Sequence, residues 1–140
     1  MKNLKNNNKG FSLVELIVVI AIMVVLAVAL APVFTKFVGQ SRRATDVANA
    51  NTLAEAILVE VADNPNASTF DATHLPSTVK SWPVPQGKVG NDGPATAFVA
   101  TYDASNNQVK IEITVGSNTY NLADPKQAQN YKDEKAPNAT

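Results

Sequence analysis

Residues 9–32 read KGFSLVELIVVIAIMVVLAVALAP, and the abrupt change at Phe11 from polar, basic sequence to aliphatic sequence governs the rest of the chain. From Leu16 to Thr35 there are 20 consecutive uncharged residues. At about 1.5 Å of helical rise per residue they extend about 30 Å, the thickness of a bilayer's hydrocarbon core. On the N-terminal side, MKNLKNNNKG carries three lysines and no acid, a charged flank set against an apolar segment. An ordinary secretory signal has a shorter apolar region and a small-residue cut site at its far end. Here the tract runs directly into further helix-like sequence. Lys36, Arg42 and Arg43 beyond it equal the three N-terminal lysines in number, so the positive-inside rule alone does not orient the segment. Glu15 stands out because a carboxylate inside hydrocarbon-loving sequence is expensive and usually has a role.

Beyond the tract the helical period continues. Phe37, Ala44, Val47, Ala54, Leu58 and Val61 recur at helical spacing, with Arg42, Asp46, Asn49 and Glu60 placed on the opposite side. This predicts an amphipathic helix lying on a sheet, with Leu53, Ile57 and Val59 widening its apolar stripe. Asn64-Pro65 stops it near Asp63, since the residue before proline is pushed out of helical conformation. Pro32 lies within the helix, where loss of a backbone bond and a clash with the previous turn predict a kink over residues 28–32.

Residues 64–95 hold five prolines and three glycines with no sustained period, a long connection with room for a short strand around Thr78–Trp82. Trp82, flanked by Pro83 and Pro85, is the one candidate for a ligand-contacting loop residue, although a lone tryptophan more often anchors a loop to the core. From residue 96 the period becomes two. Val109, Ile111, Ile113 and Val115 alternate with Gln108, Lys110, Glu112 and Thr114, the mark of a strand with one wet face. Thr96–Tyr102 before it and Thr119–Leu122 after it complete an antiparallel meander. Asp124–Thr140 is polar, lacks an apolar repeat and is predicted to be a flexible tail.

Composition narrows the chemistry. The 140 residues carry 12 basic and 12 acidic groups, which gives no reason to expect specific nucleic-acid binding. There is no cysteine, hence no disulfide or thiolate chemistry. The single histidine, His74, lies in the proline-rich connection without a constellation of acids, so the chain reads as a non-enzyme. Asp71, Asp92, Asp103 and Asp124 show no regular oxygen spacing for calcium, and no metal or cofactor is expected. Asn66-Ala-Ser68 and Asn138-Ala-Thr140 match the glycosylation tripeptide, a pattern short enough to arise often by chance.

The run from Lys9 to Pro32 closely resembles the class III signal of type IV pilins and type II secretion pseudopilins, which combines a basic leader ending in glycine, a following phenylalanine and a glutamate four residues on. Here those positions are Gly10, Phe11 and Glu15. The likeness extends over roughly residues 9–60 and departs where the family often has a helix-weakening glycine, here Val24. Many Gram-negative members also carry a C-terminal disulfide, which this chain cannot form.

The resemblance implies cleavage by prepilin peptidase between Gly10 and Phe11, N-methylation of Phe11, and assembly through Phe11 and Glu15. The expected fold is α+β: a long N-terminal helix, transmembrane then amphipathic, packed on a small antiparallel meander. The organisation reads as leader 1–10, membrane and filament-core helix 11–35, and globular domain 36–123. That domain comprises helix to about Asp63, connection 64–95 and meander 96–122, and 124–140 is the tail. The implied function is a structural subunit, a major or abundant pilin. A secretion pseudopilin, or a minor tip pilin binding a surface, DNA or carbohydrate, is the alternative. The implied partners are further copies of the chain, prepilin peptidase, and the inner-membrane platform with its assembly ATPase. The leader would be cytoplasmic before assembly and the filament extracellular.

Overall fold

The computed structural model describes residues 10–95 and 97–140. The leader expectation for residues 1–9 and the start of the meander at Thr96 lie outside them. Helix α1 spans Leu13–Asp63, and the chain divides into two compact units, one ending at Lys36 and one from Phe37 to Thr140.

In the first unit α1 begins at Leu13 because Ser12 and Glu15 form half of a capping box. The Glu15 carboxylate reaches back to accept a 2.9 Å bond from the Ser12 backbone N–H, one of the donors that a helix start leaves without a partner. The helix continues through Pro32 without interruption, and the Thr35 hydroxyl donates to the Pro32 carbonyl at 3.0 Å. Aliphatic side chains here are exposed throughout, as Val25 at 68 % and Leu30 at 62 % illustrate. Among the described residues α1 is the one helix long and apolar enough to cross a membrane.

In the second unit a four-stranded antiparallel sheet has the order β1-β2-β3-β4, with β1 Thr69–Phe70, β2 Val99–Asp103, β3 Gln108–Val115 and β4 Asn118–Asn121. The strict alternation of Gln108–Val115 gives a strand with those bounds, burying Ile111, Ile113 and Val115. Register runs Ala100 to Ile111 and Ile113 to Tyr120, so the apolar face is continuous across the meander. The β2–β3 turn is closed by Asp103, whose carboxylate accepts from the Ser105 N–H at 2.9 Å and the Asn106 amide at 2.9 Å. Gly116 turns β3 into β4 at φ +60, where a side chain would also strike the Asp92 carboxylate.

Three expectations are corrected. The first concerns the azimuth of α1. Its buried residues are Arg43, Asp46, Ala50, Leu53, Ile57 and Val61, about a quarter turn from the expected stripe. Phe37, Ala44 and Leu58 are exposed, whereas Asp46, assigned to the wet side, has no exposed surface. The apolar pattern was ambiguous because two faces carry apolar residues, and the sheet packs on the one that also carries charge.

The second correction is in the connection. Residues 78–82 form no strand, and it is Thr69–Phe70 that adds an edge strand, pairing with Thr101 and Ala100.

The third is the tail, which is structured. Asp124 caps helix α2, Pro125–Lys132, by accepting from the Gln127 N–H at 2.9 Å, and Pro125 takes a first-turn position where its missing N–H costs nothing. Tyr131 is fully buried, its ring 5.2 Å from that of Tyr120, and the Tyr120 hydroxyl donates to the Lys135 carbonyl at 2.9 Å. An eight-residue helix is too short to display an apolar period, but Asp-Pro ahead of it is a start signal that the sequence does carry.

Candidate functional site

Gly10, Phe11 and Ser12 precede the helix, and Phe11 is 87 % exposed. The Gly10–Phe11 peptide therefore sits in non-helical, accessible backbone immediately before a run of exposed aliphatic residues. Glu15, in the first turn of the helix, is exposed, its carboxylate engaged by the Ser12 N–H. In apolar surroundings such a carboxylate needs partners, and this bond supplies one of them from its own chain. The sequence reading identified Glu15 but missed its capping role, which the spacing Ser12-x-x-Glu15 announces.

A second polar arrangement lies inside the Phe37–Thr140 unit. The buried Asp46 carboxylate accepts from the Tyr131 hydroxyl at 2.7 Å, the Gly87 N–H at 2.7 Å and the Gln86 N–H at 2.9 Å. One turn earlier, Arg43 donates to the carbonyls of Lys88 at 2.8 Å and Lys132 at 3.0 Å and pairs with Glu134 at 2.6 Å. Every buried polar side-chain atom among the described residues has a partner, as burial of charge demands. Burial first, then the bond to Asp46, pushes the Tyr131 hydroxyl well above the ordinary phenol range. The cluster ties the helix to the connection and to the C-terminal segment without a covalent link. Gly87 is required there, since a Cβ would collide with the Tyr131 hydroxyl and lie 2.6 Å from Arg43 Cγ.

Trp82 is half-buried against the core and donates its indole N–H to the Phe98 carbonyl at 3.0 Å, which anchors the connection to the residue just before β2. The four aspartates considered for calcium are not brought together. The carboxylates of Asp71, Asp103 and Asp124 each accept from their own local turn or cap. His74 is exposed beside Asp71.

A family profile described as the prokaryotic N-terminal methylation motif matches residues 5–31. The chain is 30% identical over 134 residues to the type IV major fimbrial protein FimA of Dichelobacter nodosus, a match covering 83% of this chain and 72% of that protein. A second FimA from the same organism is 31% identical over 127 residues, covering 83% and 71%. This chain belongs to the type IV pilin family. No solved structure matches this pilin. The α+β architecture, a long helix with a four-stranded antiparallel sheet, agrees with that membership. Family membership assigns the methylation motif to the segment that contains Gly10, Phe11 and Glu15. The motif ends at residue 31 and does not reach the Asp46–Arg43 cluster, which the structure reveals.

Proposed function

We propose that this pilin is a repeating structural subunit, not an enzyme, made as a single-pass membrane precursor with its leader in the cytoplasm. Prepilin peptidase cuts between Gly10 and Phe11, the new amine of Phe11 is methylated, and the platform and ATPase machinery adds the subunit to a surface filament. The observation that carries this reading is the accessible, non-helical Gly10–Phe11 junction followed by exposed aliphatic helix with a single carboxylate in its first turn. Such a surface is stable in lipid, and outside lipid it must be covered by apolar surface from other copies.

Cleavage creates an α-amine four residues from Glu15. In a bundle of these helices, a carboxylate without a cation costs several kcal/mol, and a neighbour's amine offsets that cost only at one axial stagger. At an effective dielectric of about 20, a close pair attracts by up to roughly 4 kcal/mol before desolvation is counted. Glu15 thus selects register. The tip-binding alternative draws no support from Trp82, whose indole N–H is already committed to Phe98.

Intact-mass analysis of sheared filaments tests the reading. The expected mass is that of a chain beginning at Phe11 with one methyl group; retention of residues 1–10 defeats it. Glu15→Leu is expected to insert and be cleaved yet remain in the membrane, and a wild-type filament yield from that variant refutes the register role.

A further inference from the structure

The second half of α1 carries its charges on the unexpected side. Its buried face holds Arg43 and Asp46, while the face turned away from it, from Phe37 to Ala62, is exposed and nearly free of charge. That outer face presents Phe37, Ala44, Ala48, Leu58 and Ala62 at helical spacing, with Phe37 68 % and Leu58 45 % exposed. Glu55, on the midline, is its single charge. A helix face that remains in water is ordinarily rich in Lys, Glu and Arg, so an exposed face of this composition is built to be covered.

Resting on the filament reading above, we infer that a second copy of this chain covers the outer face, and that its Lys36 pairs with Glu55. Charges along the helix are complementary at one offset. Residues 16–35 form the uncharged tract and end at Lys36, the first cation beyond it. The outer face is uncharged from Phe37 to Thr52 and then meets Glu55. Two parallel copies offset by nineteen residues, about 28 Å along the helix, set uncharged tract against uncharged face and place the first cation of one beside the lone carboxylate of the other. The other exposed cation on α1 beyond the tract, Arg42, would require an offset of thirteen residues, about 20 Å, and would lay part of the uncharged face beside the neighbour's Lys36. This contact is distinct from that of Glu15 with Phe11, and it adds a second determinant of register farther along α1.

The absence of cysteine gives a direct test. In full-length protein carrying Glu55→Cys together with Lys36→Cys, the two thiols of one chain are too far apart on α1 to join, because a disulfide requires Cα atoms within about 7 Å. Oxidation of sheared filaments is expected to give a ladder of covalent multimers, and neither single variant is expected to give more than dimers.

Charge reversal supplies an independent readout. Glu55→Lys and Lys36→Glu are each expected to lower filament yield several-fold while the membrane pool remains processed to Phe11. The double reversal is expected to recover at least half of the wild-type yield. Single variants that assemble like wild type, a double reversal no better than either single, or rescue by Arg42→Glu in place of Lys36→Glu would overturn the assignment. A wild-type protein that is processed but forms no filament would instead overturn the filament reading, and this inference with it.

Discussion

Asp46→Ala is the substitution to which the Phe37–Thr140 unit should be most sensitive. It leaves three donors without their acceptor: the Tyr131 hydroxyl and Gly87 N–H, whose bonds to the fully buried Asp46 carboxylate are themselves buried, and the Gln86 N–H, whose bond is part-buried. An unsatisfied buried donor costs about 1–3 kcal/mol, and partial relaxation around the smaller side chain lowers the sum, so the expected loss is about 3–5 kcal/mol. Tyr131→Phe removes one bond to a charged acceptor and leaves the other two, for an expected loss of about 1.5–3 kcal/mol. The double variant should lose less than the sum, because the two side chains share one bond. The assay is thermal and urea unfolding, followed by circular dichroism, of a fragment beginning at Lys36, which is expected to fold as a soluble α+β monomer because it contains the whole core. For a unit of this size, 1 kcal/mol corresponds to roughly 4–8 °C, so Asp46→Ala should lower Tm by roughly 12–40 °C. A loss within about 1 kcal/mol of zero, or strict additivity with Tyr131→Phe, would refute the view that this carboxylate holds the helix, connection and C-terminal segment together.

Gly87→Ala should destabilise the same fragment by about 2–3 kcal/mol, because the new methyl displaces the loop that donates to Asp46; a melting curve unchanged from wild type would contradict this. Acid should weaken the unit in a defined window. Asp71 has its carboxyl lowered from 3.8 to about 2, chiefly by the Thr73 hydroxyl and then by backbone N–H groups, and local bonds likewise lower Asp103. A carboxyl lowered in the folded state favours folding when ionised, so its contribution is complete above about pH 4 and is lost as pH falls toward 2. Thermal melts of the fragment between pH 5 and pH 2 should show Tm falling there, and Asp71→Asn should flatten part of that fall.

The sequence by itself determined the features that depend on one dimension. Span length and the charge step at Phe11 need only counting, as does the position of Glu15 relative to Gly10 and Phe11. The strict alternation of Gln108–Val115 fixed both a strand and its inner face, because a period of two leaves no azimuth to choose. The end of α1 at Asp63 followed from Asn64-Pro65. Tertiary structure decided which face of α1 is inside. Phe37, Ala44 and Leu58 on one side and Leu53 and Ile57 on the other are comparably apolar, so hydrophobicity alone does not choose between them. The choice was made by partners distant in sequence: Gln86, Gly87 and Tyr131 for Asp46, and Lys88, Lys132 and Glu134 for Arg43. A charge reads as outward-facing until the groups that satisfy it are known, and here those groups come from a proline-rich connection and a polar C-terminal stretch that show no period of their own.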